Sequence, residues 1–185
     1  MAVETKLLTY EEYLALPEIN RRYDIIDGEL IMMSPSPTPL HQRIAAKIHL
    51  KLGPFVMERQ LGEVFFAPLD VLIQREPLRT RQPDVLFIRA ERADIIGEDL
   101  IEGAPDLVVE ILSPSNTRAQ VEEKLADYAS IGVSECWLIS PEAQTVEVLR
   151  RTDEGWIRQE IYGRGDAVTS LLLPGFSLSV SEIFD

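Results

Sequence analysis

Residues 106–112 read Asp-Leu-Val-Val-Glu-Ile-Leu. Apolar side chains fill both alternating faces, the pattern of a strand covered on two sides, and Glu110 interrupts it. Two upstream runs share the pattern. Residues 83–88 (PDVLFI) carry Asp84, and residues 64–73 (VFFAPLDVLI) carry Asp70. A carboxylate inside such a run is strongly unfavourable unless something compensates it. Period-two alternation puts Asp106, Val108, Glu110 and Leu112 on one face, and Asp84, Leu86 and Ile88 on one face of their own run. If the two strands are neighbours, Asp84 and Glu110 converge near a strand end. Two carboxylates, with water and a phosphate oxygen, suit a hard cation such as Mg²⁺ or Mn²⁺. Without compensation they would repel and raise one another's pKa values. The competing reading is that an acid sits at a strand end and binds a loop. Asp106, just after Pro105, favours that reading; Asp84 and Glu110 favour the metal.

Outward from these runs, the chain reads as one α/β domain spanning residues 1–185, with a core over about residues 41–140. Thr9 and Glu12 have capping-box spacing, which predicts a short helix ending before Pro17. Residues 23–33 (YDIIDGELIMM) predict a hairpin turning at Asp27-Gly28. Alternate prolines make residues 34–39 (SPSPTP) a loop at the rim. A helix from His41 to about Leu52 follows, with Ile44, Ile48 and Leu52 on one stripe and Gly53-Pro54 as its stop. After the three acid-bearing runs, Thr117 and Gln120 open a helix that Gly132 ends. Residues 135–140 (ECWLIS) form a further strand, and residues 145–151 and 156–162 a closing hairpin. The expected core is therefore a mixed central sheet flanked by helices, with hairpins added at both ends.

Lys124 is the cationic candidate. On the helix after Thr117, it borders the stripe of Val121, Leu125 and Tyr128, whereas Glu122, Glu123 and Asp127 are expected to point outward. A border lysine either snorkels over apolar surface or leans toward the acids, where its ammonium would orient water or stabilise charge. His41 reads equally as a proton carrier and as a capping residue. Glu29, after the Asp27-Gly28 turn, would join the acids only if the hairpin folds over the sheet.

The formal net charge of −13 argues against broad attraction to phosphate backbones, though not against a local basic cleft. Arg75, Arg79 and Arg81 read either as such a cleft or as a solvated loop. The one cysteine, Cys136, excludes an intramolecular disulfide and lies in an apolar run, as a buried thiol would. No run is long enough to cross a bilayer and no secretory signal opens the chain, so a cytoplasmic protein without membrane contact is expected. Phosphate-binding glycine motifs, HExxH and paired CxxC are absent from the sequence, which sets aside nucleotide-loop, zincin and zinc-finger chemistry.

Residues 23–37 (YDIIDGELIMMSPSP), His41, APLDVLI, RQPDVLF, GAPDLVVEILSPSN and Lys124 followed by ADYASIGVSECWLISP together resemble the Uma2-like family of restriction-type endonucleases, itself similar to the PD-(D/E)xK nuclease superfamily. The resemblance runs from about Thr9 to Phe184. It implies a restriction-endonuclease-like core in which Pro83-Asp84 matches the PD motif and Glu110 the second acid, both holding Mg²⁺ or, in substitution, Mn²⁺. The superfamily lysine would fall at residue 112, where this chain has Leu112, so Lys124 looks like its migrated equivalent. Glu29, His41 and Asp70 match further polar positions of the family as possible accessory residues. The implied activity is metal-dependent endonucleolytic hydrolysis of DNA, with a homodimer expected because a symmetric pair cuts two strands readily. Two alternatives stand beside it: a catalytically inactive nuclease-fold interaction module, suggested by Leu112 and the acidic charge, and a hydrolase of a non-nucleic phosphodiester.

Overall fold

The computed structural model describes residues 7–17, 22–32 and 38–185. The proline-rich stretch 34–37 lies outside the described residues. In chain order the elements are α1 (Tyr10–Leu14), β1 (Tyr23–Ile26), β2 (Glu29–Met32), α2 (Pro39–Glu58), β3 (Gly62–Phe66), β4 (Val71–Gln74), β5 (Arg79–Arg81), β6 (Val85–Arg89), β7 (Leu107–Ile111), α3 (Arg118–Ile131), β8 (Glu135–Ser140), β9 (Thr145–Thr152), β10 (Gly155–Tyr162), β11 (Ala167–Val168), β12 (Leu178–Ser179) and α4 (Val180–Phe184). A 3-10 segment, Ala90–Ile95, follows β6.

The central sheet has six strands in the order β10-β9-β8-β7-β6-β3. Its one parallel pair, β7 with β8, is joined through α3. A second sheet, β2-β1-β5-β4, packs beside it. The architecture is the expected mixed α/β core, extended by the N-terminal β1–β2 hairpin and the C-terminal β9–β10 hairpin.

Local signals explain most element ends. Thr9 and Glu12 close a capping box at α1, and Thr117 and Gln120 close one at α3. Gly132 ends α3 in the left-handed region at φ +100°, where a side chain would be strained. Asp27 and Gly28 both adopt positive φ in the β1–β2 turn, as a two-residue hairpin loop requires.

Two apolar layers sandwich the central sheet. Ile44, Ile48, Leu52 and Val56 of α2 meet Val85, Phe87, Val109, Ile111 and Trp137 on one face. On the other, Tyr128, Val121 and Leu125 of α3 meet Leu86, Ile88, Val108 and Leu138. Every residue of β7 is buried, and so are the first four of β6.

Four expectations are corrected. Helix α2 does not stop at Gly53-Pro54 but runs on to Glu58. Val56 continues the buried stripe of Leu52, and its burial outweighs a missing hydrogen bond on an exposed helix face. The run 64–73 is not one strand. It divides at Pro68 into β3, a half-exposed edge of the central sheet, and β4 of the second sheet, so Asp70 lies in the connection. Arg79 and Arg81 form neither a cleft nor a solvated loop, because β5 draws them into ion pairs with Asp24, Asp27 and Asp127. Asp127 consequently points inward and is buried.

Candidate active site

Asp84 sits at the entrance of β6 and Glu110 near the exit of β7. Val85 pairs with Val109, so Asp84 and Glu110 occupy the next position of the same antiparallel ladder. By alternation both side chains fall on the face covered by α3, with Leu86, Ile88 and Val108. Asp84 reaches across the ladder, where its Oδ2 accepts the Ile111 N–H at 2.7 Å.

Each carboxylate is surrounded by donors. Arg22 Nη1 donates to Asp84 Oδ1 at 2.6 Å. His41 Nε2, from the first turn of α2, lies 3.3 Å from Asp84 Oδ2. Lys124 Nζ donates to Glu110 Oε2 at 2.7 Å, and the Tyr128 hydroxyl donates to Glu110 Oε1. Lys124 and Tyr128 come from one face of α3 four residues apart, a full helical turn. The border position read for Lys124 is thus the one that leans toward the acids.

The two acids are tuned in opposite directions. Burial pushes the Asp84 carboxyl up, but the His41 hydrogen bond, the Arg22 and His41 charges and the Ile111 N–H outweigh it and hold the group below the usual range. Burial pushes Glu110 up, and the nearby Asp84 charge adds to this; Lys124 and Tyr128 oppose it without reversing it. Burial works against the charged form of Lys124, yet Glu110, Asp24 and Asp84 together hold its pKa above the ordinary lysine value.

Asp70 and Glu29 stand elsewhere. Asp70 is buried and accepts hydrogen bonds from Tyr13 at 2.6 Å and Tyr23 at 3.3 Å, a connection between α1, β1 and the start of β4. Burial raises its pKa against those donors. Glu29 is exposed on β2, and among the described residues no hydrogen bond joins it to Asp84 or Glu110. Asp106 takes the loop-binding role, accepting the Arg89 N–H at 2.9 Å and Arg92 at 3.1 Å.

The compensation that the sequence calls for comes in part from the chain itself, through Arg22, His41, Lys124 and Tyr128. Among the described residues, no three His, Cys, Asp or Glu side chains group as ligands for one ion. The Asp84–Glu110 pair still fits a hard cation by donor type. Each carboxylate has about four lone-pair sites, and Asp84 receives three donors and Glu110 two. Beside the pair lies a cleft lined by Glu110, Leu112, Asn116, Gln120, Lys124 and Tyr128. Leu112 and Lys124 share this cleft, so an ammonium reaches Glu110 from α3 although β7 supplies none at residue 112.

Three contributors escaped the sequence reading: Arg22, Asp24 and the Tyr128 hydroxyl. Asp24 is buried on β1 and bonds Arg81 at 2.9 Å, and Arg81 bonds Asp127 of α3 at 2.6 Å. The alternation of YDII was the available signal, since it places Asp24 and Ile25 on opposite faces, and both are buried. Tyr128 was legible as a packed residue but not as a donor.

A mixed sheet with flanking helices and these hairpin additions belongs to the restriction-endonuclease-like nucleases. Within that class the chain is a member of the Uma2 family, whose model, described as "putative restriction endonuclease", matches residues 10–181. Among solved structures it is similar to a "putative nuclease belonging to DUF820" from Anabaena variabilis ATCC 29413. The TM-score is 0.76 at 25% identity, covering 96% of this chain and 97% of that one. No curated protein matches the chain. Among the described residues, no helix is long and apolar enough to cross a membrane.

Proposed function

We propose that this nuclease-family protein is a divalent-metal-dependent endonuclease that hydrolyses DNA phosphodiester bonds, with Mg²⁺ or Mn²⁺ held by Asp84 and Glu110. The observation that supports this reading is the placement of two oppositely tuned carboxylates side by side, one just before β6 and one on β7, with the Lys124 ammonium on the second. When bound there, a divalent cation supplies Lewis acidity to the scissile phosphate and to water. The chain's own groups do the rest. Asp84, kept ionised, offers charged oxygen at the sheet end. Lys124 holds a proton at Nζ, orients the attacking water and offsets negative charge that grows on the phosphate. Tyr128 fixes the Glu110 carboxylate by its hydroxyl, so that oxygen does not rotate away from the cleft. His41, against Asp84 Oδ2, is an accessory proton carrier. Local cations allow phosphate to approach a chain whose formal charge is −13. A homodimer would bring two such sites to a duplex.

Plasmid nicking tests the reading. Supercoiled DNA is incubated with the protein and Mg²⁺ or Mn²⁺, beside Asp84→Ala and Glu110→Ala. Cleavage that needs the ion and disappears in both variants supports it. Undiminished cleavage by either variant rejects the residue assignment. Binding of Mn²⁺ without cleavage of DNA, together with turnover of small phosphodiesters, would move the substrate to a non-nucleic ester, for which the acidic surface is the favouring observation.

A further inference from the structure

The carboxylate of Asp84 already carries a cation. Arg22 Nη1 donates to Asp84 Oδ1 at 2.6 Å, and its Nη2 donates to the Gln82 carbonyl at 2.6 Å. Two bonds to one short segment, Gln82 to Asp84, hold the planar fork in a way that a single ammonium cannot reproduce. The other oxygen, Oδ2, is occupied from the protein interior by the Ile111 N–H and by His41. A dication approaching Asp84 through Oδ1 therefore meets the guanidinium on the same atom. Oδ1 has a second lone pair, but two like charges on one oxygen of an acid only 4% exposed repel with little screening, which favours departure of the guanidinium when the ion binds.

We propose that Arg22 is an internal competitor for the divalent cation on Asp84, and that its displaced guanidinium becomes a phosphate-binding group of the site. The inference rests on the metal-dependent reading above and adds the identity of the group that the metal displaces. Three observations carry it. First, Arg22 remains 19% exposed while Asp84 is only 4% exposed, so the arginine has a way out toward solvent and the acid does not. Second, Arg22 Nε is buried and has no hydrogen-bond partner among the described residues, which anchor the fork through its two terminal nitrogens, on Asp84 and Gln82. Breaking those two bonds frees the whole group. Third, Arg22 is the one guanidinium bonded to either candidate acid among the described residues. Arg79 and Arg81 are committed to Asp24, Asp27 and Asp127. A guanidinium released at that point carries donors that match two phosphate oxygens at once, where a phosphodiester chain would lie.

The two roles predict opposite effects of one substitution. Arg22→Gln keeps a hydrogen-bonding amide and removes the charge. Calorimetric titration with Mn²⁺ alone should show binding roughly tenfold tighter than wild type, because a charge-assisted bond no longer has to be broken. At saturating Mn²⁺, the KM for duplex DNA should rise roughly tenfold, because a charged phosphate contact is gone. Arg22→Lys keeps the charge without the fork and should bind Mn²⁺ a few-fold tighter than wild type. It serves as the reading variant if Arg22→Gln fails to fold, as judged by its thermal melt. Wild type that binds Mn²⁺, with folded Arg22 variants that bind it no tighter, overturns this inference and leaves the metal-dependent reading standing. Failure of wild type and both variants to bind Mn²⁺ overturns both. Tighter Mn²⁺ binding with an unchanged KM overturns the phosphate-binding half.

Discussion

Lys124 Nζ stands 2.7 Å from Glu110 Oε2, although one residue belongs to α3 and the other to β7. The pair is nearly enclosed, with 17% of the lysine side chain and 8% of the glutamate exposed. Removing one member leaves a charge without its partner in a site that shields poorly. Lys124→Met should therefore lower DNA cleavage by about 10²–10⁴-fold, the range expected for losing a positioned cationic or proton-handling group. In unfolding experiments, Lys124→Met and Glu110→Gln should be strongly non-additive, with a coupling of about 1–3 kcal/mol. Additive effects would mean that the contact carries no energy and that the lysine only covers surface.

Tyr128 gives a cleaner view of Glu110, because its hydroxyl can be removed with little change of shape. The hydroxyl donates to the carboxylate and so favours the charged form. In Tyr128→Phe that support disappears, and the Glu110 pKa, already raised by burial, rises further. If cleavage needs ionised Glu110, the acidic limb of the pH–rate profile moves to higher pH, while the rate on the plateau falls less. A limb that stays in place, or moves to lower pH, contradicts the role given to Glu110.

Asp70 tests the linkage between charge and fold away from the candidate site. Its folded-state pKa is raised above the ordinary 3.8, chiefly by burial, against hydrogen bonds from Tyr13, Gln82 and Tyr23. The fold thus prefers the protonated acid. Its stabilising contribution is complete below 3.8 and is lost as pH rises through the raised value. Asp70→Asn does not titrate. The stability of wild type relative to Asp70→Asn should be greatest near about pH 3 and decline toward about pH 7, measured by thermal melts across that range. A difference that grows with pH would reverse the assigned direction.

The parts of this molecule that could be read in advance are those fixed by neighbours in sequence. Buried strands β6 and β7, the capping box and glycine stop of α3, and the Asp27-Gly28 turn follow from periodicity and local backbone chemistry. Lys124 was legible because a helical turn places it beside Tyr128. The acidic run ahead of Asp84 misled because Pro68 splits it between two sheets, and a list of apolar residues does not show which sheet each half will join. Pro54 misled in the other direction, since tertiary burial of Val56 overrides a local stop signal. Arg22 was invisible for a different reason. Its partner Asp84 lies 62 positions away, and no periodic pattern relates them. The same holds for Arg81, whose partners Asp24 and Asp127 come from opposite ends of the fold.

Arg81 carries the largest expected effect on stability. It is 3% exposed and joins Asp24 of β1 to Asp127 of α3. Through Asp127 it fixes the helix that delivers Lys124 and Tyr128 to Glu110. Arg81→Met strips buried Asp24 of its guanidinium and leaves Asp127 to Arg79, and should cost about 3–5 kcal/mol in urea unfolding, as breaking a buried pair does. Cleavage should fall as well, because α3 keeps only Arg79 of its two guanidinium tethers to the N-terminal sheet. Adding Asp24→Asn removes the stranded charge, so the double variant should be more stable than Arg81→Met alone. If the single variant loses less than about 1 kcal/mol, Arg81 contributes no more than a surface ion pair, and α3 is held by Arg79 and the apolar contacts of Tyr128, Leu125 and Val121.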